Sequence, residues 1–136
     1  MNYWLAKSEP DSYPWTQLLK EKSTPWDGVR NYQARNNMQK MTVGDLCLFY
    51  HTGKEKAVVG IMKVIAEAHQ DPTTEDERWQ CVDFAPVESL PAPVSLKAIK
   101  SNPNLAQVAL IRNSRLSVLP LSEEEYLEIL VMSAAS

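Results

Sequence analysis

Apolar residues along the chain come in short runs, and proline, glycine or a cluster of charge interrupts each of them. Tyr3-Trp4-Leu5-Ala6 is aromatic and aliphatic and ends at the polar, proline-containing stretch 7–11, which predicts a first strand. Ser12 stands where it can cap a short helix that starts near Pro14 and carries Trp15, Leu18 and Leu19. A loop over residues 23–28 follows. Residues 30–41 have helical composition, with Ala34, Met38 and Met41 on one face and Asn31 and Arg35 on a polar one. Gly44-Asp45 makes a turn, and two strands are predicted at 46–51 and 57–68, joined as an antiparallel hairpin by residues 52–56.

The charged stretch 70–78 holds Pro72 and predicts a loop, after which 79–87 alternates as a strand that Pro86, Pro91 and Pro93 should close. Two short helical pieces, 95–99 and 105–111, are separated by Pro103, and 116–121 is the last strand candidate. Ser122-Glu123-Glu124-Glu125 matches a capping box opening a terminal helix whose apolar stripe is Tyr126, Leu127 and Leu130. Strands joined by hairpins and separated by short helices predict an α+β fold, a small, partly closed β-barrel with helices over its ends, as one domain over residues 1–136.

Composition narrows the function. Hydrophobic residues make up 44% and charged residues 23%, a globular balance with no run long enough to span a bilayer, and no leader is read at the start, so the expectation is a cytoplasmic protein. Two cysteines are too few for a disulfide framework. The net charge of −3 gives no general attraction to polyanions, but it is unevenly spread. Residues 1–60 carry eight Lys/Arg against six Asp/Glu, and residues 61–136 carry six against eleven. Segment 28–41 contains Arg30, Arg35 and Lys40 and no acid, so a nucleic acid would have to meet a local basic patch.

Several chemistries find no support. Four glycines, at 28, 44, 53 and 60, form no phosphate-cradling loop or dinucleotide fingerprint. Cys47 and His51, four apart on a predicted strand, stand about 13 Å apart at Cα, too far to share one metal ion, and no metal site or cofactor is expected. No nucleophile signature marks a reactive serine or cysteine, so no catalytic residue is assigned. The one enzymatic alternative is a small enzyme acting on a nucleotide or modified base, with His51 or Glu9 as general base.

Three clusters point to binding instead. Trp26, between Pro25 and Asp27-Gly28, either plugs a barrel end or offers a face on which an unpaired base can stack, at about 1–3 kcal/mol per base. Asn31 could read a base edge, while Arg30 and Arg35 could supply phosphate contacts. Lys7-Ser8-Glu9 places donors and acceptors just after the first strand, and Arg112-Asn113-Ser114-Arg115 precedes the last one.

Taken together, residues 3–10 (Tyr-Trp-Leu-Ala-Lys-Ser-Glu-Pro), Trp26 to Asn37, Gly44-Asp45, Phe49-Tyr50-His51 and Ser114-Arg115-Leu116-Ser117 resemble the EVE domain family from residue 3 to about residue 130. The resemblance implies a PUA-like fold, a small mixed β-barrel flanked by short helices and related to the YTH readers of methylated adenine, and a reader of modified bases in DNA or RNA, with modified cytosine the usual proposal. It implies that Lys7, Ser8 and Glu9 line one side of a pocket, that Trp26 forms its aromatic wall with Asp27 beside it, that Asn31 and Arg35 border the entrance and that His51 closes the floor. Arg30, Lys40, Arg112 and Arg115 are the candidates for backbone contacts. Where YTH readers place a second aromatic, the stretch 69–72 has a histidine and no tryptophan, so a two-walled stacking pocket is expected.

Overall fold

The computed structural model describes residues 1–135. Six strands, β1 (Tyr3–Ser8), β2 (Thr24–Pro25), β3 (Leu46–His51), β4 (Ala57–Gln70), β5 (Gln80–Ser95) and β6 (Val118–Leu121), form one mixed sheet in the order β2-β5-β4-β3-β1-β6. Five helices interleave with them: α1 (Trp15–Glu21), α2 (Tyr32–Gln39), α3 (Leu96–Lys100), α4 (Ala109–Arg112) and α5 (Glu123–Ala134). The α+β class agrees with the hydrophobic patterning, and so does the β3–β4 hairpin. The parallel β1–β3 pair is a tertiary fact that the pattern could not supply.

The barrel does not close. β2 and β6 remain at opposite edges of the sheet, because a strand of two residues offers too few backbone groups for a closing ladder and helices α2 and α4 pack against β6.

β5 also runs past its expected end. Pro91 and Pro93 lie in an excursion between Ser89, which faces Gly60, and Val94, which faces Val58. A bulge there removes the ladder bonds that prolines cannot donate, so the strand bends where alternation alone predicts a stop. The end of α5 covers the bulge: Ser133 Oγ accepts from Ala92 N–H at 3.1 Å and donates to its carbonyl at 2.6 Å.

Two loops are tied to the sheet by buried polar groups. Asp45 is 1% exposed. It accepts bonds from Trp4 Nε1 (3.0 Å), Asn2 N–H (3.1 Å), Thr42 N–H (3.1 Å) and the Thr42 hydroxyl (3.0 Å). Burial alone would raise its carboxyl, but these donors hold it below the ordinary range.

At the other end of the sheet, α1 is capped from a distance. Pro14 occupies the N-cap position and provides no side-chain cap, and Ser12 does not take that role; His51 Nε2 accepts the Trp15 N–H at 3.0 Å. An accepting Nε2 leaves the proton on Nδ1, which donates to Glu55 Oε1 at 2.6 Å. Trp15 then lies over Gly60, where any Cβ would come within 2.4 Å of its ring, and donates to Ser89 Oγ at 2.8 Å. The capping box at Ser122 and Glu125 forms as the sequence predicts.

Candidate functional site

The C-terminal end of β1, the segment leading into α1 and the segment following β2 enclose an open cleft of about 620 Å3. Lys7, Ser8, Glu9, Trp26, Asp27 and Arg30 all line it, so residues nearly twenty positions apart in sequence meet there although β5, β4 and β3 lie between β2 and β1 in the sheet order.

Trp26 is placed by the sheet. Thr24 and Pro25 pair with Phe84 and Asp83, and the Trp26 N–H donates to the Val82 carbonyl at 2.8 Å. Its indole is 8% exposed and meets Phe49 and Phe84 edge to face, with centroids at 5.6 and 5.4 Å. Trp26 is thus both a core residue and part of the cleft wall. Tyr13 meets the same indole at 6.5 Å and 88° and lines the cleft too. Its hydroxyl donates to Glu21 Oε1 at 2.6 Å, and burial, with that acceptor, pushes it up to about 12. The second aromatic therefore comes from the start of α1, at right angles to Trp26. Nothing in the local sequence around Tyr13 signals this.

The loop after Trp26 is locked by Asp71, a fully buried carboxylate that the sequence reading left without a role. Asp71 Oδ2 accepts from Gly28 N–H at 2.8 Å and from Arg30 Nη1 at 3.1 Å, and Oδ1 accepts from Thr73 N–H at 2.7 Å and from the Thr73 hydroxyl. Gly28 has φ +77°, a left-handed backbone that turns its N–H toward this carboxylate at no steric cost. Burial opposes the charge of Asp71, yet its donors outweigh that and hold the carboxyl at about 2. The neighbouring Asp27 carboxyl moves the other way, raised first by desolvation and then by the charge of Asp71.

Arg30 also donates to Thr73 Oγ1 at 2.9 Å and stands 5.5 Å from the Trp79 ring. Trp79 stacks on Tyr32 at 4.9 Å, and Arg35 covers the other aromatic at 4.9 Å while donating to the Arg78 carbonyl at 2.9 Å. This ladder fixes the start of α2 to loop 71–79 and leaves 40% of the Arg30 side chain exposed at the cleft.

The other sequence candidates lie elsewhere. Asn31 is the N-cap of α2, its side chain accepting the Ala34 N–H at 2.9 Å. His51 sits at the start of α1, outside the lining of the cleft. Lys40 caps the C-terminal end of α2, Arg112 ends α4 and donates to Gln107 Oε1 at 3.1 Å, and Arg115 lines a neighbouring hollow. Lys7, by contrast, stays in the lining of the cleft, reaching the Ser114 carbonyl with Nζ at 2.8 Å, and burial lowers its ammonium from the ordinary value.

Among the described residues, His69, Cys81 and Asp83 bring one ligand atom each within 4.8 Å of one another. His69 Nε2 is already bonded to Asp83 at 2.8 Å, a bond that raises the imidazole, and burial keeps the Cys81 thiol up near about 12. No described helix is long and apolar enough to cross a membrane.

The EVE domain model matches residues 2–132 of the chain. Thymocyte nuclear protein 1 of Rattus norvegicus is 33% identical, over 98% of this chain and 74% of the relative. A crystal structure of a protein from Agrobacterium tumefaciens superposes with a TM-score of 0.94 at 48% identity, over 98% of this chain and 93% of the other. The crystal structure of human THYN1 protein in complex with 5-methylcytosine containing DNA superposes with a TM-score of 0.91 at 30% identity, over 98% of both chains.

Proposed function

The chain belongs to the EVE domain family, and on that premise we propose that it binds nucleic acid carrying a modified base, above all a modified cytosine in DNA, by taking the base into the cleft between Lys7 and Trp26. The carrying observation is the convergence of Trp26, Tyr13, Asp27 and Arg30 on one open cleft, in a fold shared with a protein solved on 5-methylcytosine containing DNA. A flat heterocycle rests against the exposed part of the indole, with Tyr13 bounding it at a right angle. Asp27 is the acceptor for an exocyclic amino group, the donor that cytosine alone among the pyrimidines of DNA presents. Arg30, held in place by Asp71 and Thr73, supplies the phosphate contact that fixes register.

Extruding a base from a duplex costs a few kcal/mol, so single-stranded or weakly paired sites bind better. The mechanism is binding without covalent chemistry. Of the two candidate general bases, Glu9 lines the cleft, while both ring nitrogens of His51 are engaged.

Asp27→Ala changes an exposed side chain and is the direct test. Its affinity for 5-methyl-2′-deoxycytidine by calorimetry should fall about tenfold, or 1.4 kcal/mol, with the thermal midpoint unmoved. An unchanged dissociation constant removes the reading, and mass analysis showing a converted nucleoside would replace it with an enzyme. Matched ribo- and deoxyribo-oligonucleotides decide between RNA and DNA.

A further inference from the structure

The base cleft does not stand alone. A second hollow of about 620 Å3 adjoins it, and Lys7, Glu9 and Ser117 line both. Its remaining walls include Tyr50, Lys56, Leu96, Lys100, Leu110 and Arg115. A third hollow of about 450 Å3 shares Lys56, Leu96 and Lys100 with the second and adds Lys54 and Lys97. Lys7, Arg115, Lys56, Lys100, Lys54 and Lys97 thus follow one another across the surface, from a chain that has 14 basic residues against 17 acidic ones.

Only Glu9 and Glu55 interrupt the second and third hollows, and Glu55 is occupied by His51 Nδ1. The cations come from the end of β1, the turn before β4, helix α3 and the loop before β6, so the fold itself gathers them. Lys56 even holds a left-handed backbone at φ 47°, while its carbonyl accepts the Leu96 N–H at 2.7 Å, which ties the turn to α3. Concave walls of one sign focus the field far more than the same charges scattered over a net-negative surface.

We propose that this track binds the sugar–phosphate backbone of a single strand flanking the nucleotide in the base cleft, passing Lys7 and Arg115, then Lys56 and Lys100, then Lys54 and Lys97. The proposal rests on the base cleft being a nucleotide site, since the shared Lys7, Glu9 and Ser117 make the track a continuation of it. A single strand is favoured because its unpaired bases are free to turn toward the apolar part of the lining, where Leu96 is half-buried, while the phosphates face the lysines.

The test uses the full chain, a single-stranded deoxyoligonucleotide with one central 5-methylcytosine followed by fluorescence anisotropy, and free 5-methyl-2′-deoxycytidine followed by calorimetry. In Lys56→Gln/Lys100→Gln the oligonucleotide should bind about tenfold more weakly at 0.1 M salt, and the slope of log affinity against log salt should flatten by about 1.4. The nucleoside should bind as in the parent chain, Lys56→Arg/Lys100→Arg should restore the oligonucleotide, and Lys63→Gln, exposed on β4 outside the track, should change neither.

Unchanged oligonucleotide affinity and salt slope with the nucleoside still bound would overturn the track and leave the base cleft standing. Loss of nucleoside binding in the parent, with the salt slope still dependent on Lys56 and Lys100, would support the track and remove the base cleft. An equal loss in Lys63→Gln, or a loss seen with poly-glutamate and not with the oligonucleotide, would overturn the track in favour of bulk charge or an acidic protein partner.

Discussion

Two clefts of equal volume lie side by side on this sheet, and they are built by opposite means. The first is walled by two aromatic rings and by a loop that one buried carboxylate fastens through the Gly28 N–H and the Arg30 guanidinium. The second is walled by long lysine and arginine side chains beside Tyr50, Leu96 and Leu110, its segments joined by backbone bonds such as that from the Leu96 N–H to the Lys56 carbonyl. A cleft that must match the outline of one planar group needs fixed walls, so cohesion is concentrated there. A surface that meets phosphates, which are the same at every step, needs charge at rough spacing, and mobile lysines suffice. On the proposed reading, shape discrimination and electrostatic attraction fall to neighbouring regions that share Lys7, Glu9 and Ser117.

The sharpest way to break this contrast is Asp71→Ala. It removes the acceptor of Gly28, Arg30 and Thr73 at once and leaves a guanidinium without its partner. Unfolding in urea should show a loss of about 3 kcal/mol, and nucleoside affinity should vanish before the salt-dependent attraction for an oligonucleotide does. The same carboxylate gives the contrast a pH signature. Its folded value, about 2, lies below the unfolded one near 3.9, so the stability it contributes is complete above that range and disappears as pH falls through about 4 toward 2. Urea midpoints across this window should converge for the parent and Asp71→Asn.

Trp26 tests how far wall and core are separable. Trp26→Ala should cost roughly 3–5 kcal/mol of stability, because Phe49, Phe84 and Tyr13 all pack on the lost ring. Trp26→Phe keeps the packing better, and its nucleoside affinity compared with its thermal midpoint separates stacking from folding.

The smallest effect expected is that of Lys7→Met, which belongs to both clefts. Affinity should fall about fivefold for nucleoside and oligonucleotide alike, near 1 kcal/mol. A loss confined to one probe would show that the ridge serves only that side.

How much of this was readable beforehand differs by element. The β3–β4 hairpin, the capped α5 and the apolar face of α2 follow from local periodicity and turn chemistry, and all three form. The length of β5 was not readable, because a bulge that accommodates Pro91 and Pro93 depends on the register of β4 and the cover given by Ser133. Lys7, Trp26 and Asp27 stood out as a group only through their resemblance to a family, and the fold does bring them to one cleft. Tyr13 stood out only as an exposed anchor for a protein partner, and Asp71 did not stand out, since an aspartate in a charged loop looks ordinary until the chain is folded. Asn31 and His51 looked like ligand-facing groups, and both bond to the backbone at helix starts.

The order of apolar and polar residues determined by itself that this chain makes short strands and helices around one core, because those choices rest on neighbours a few positions away. Which side chains share a cleft was decided only when β1 took its place between β3 and β6 and β2 took the far edge. Burial then made that decision matter: it turned Asp71 from one acid among many into the clamp of a loop, because a carboxylate removed from water must satisfy its oxygens with whatever donors the fold brings near.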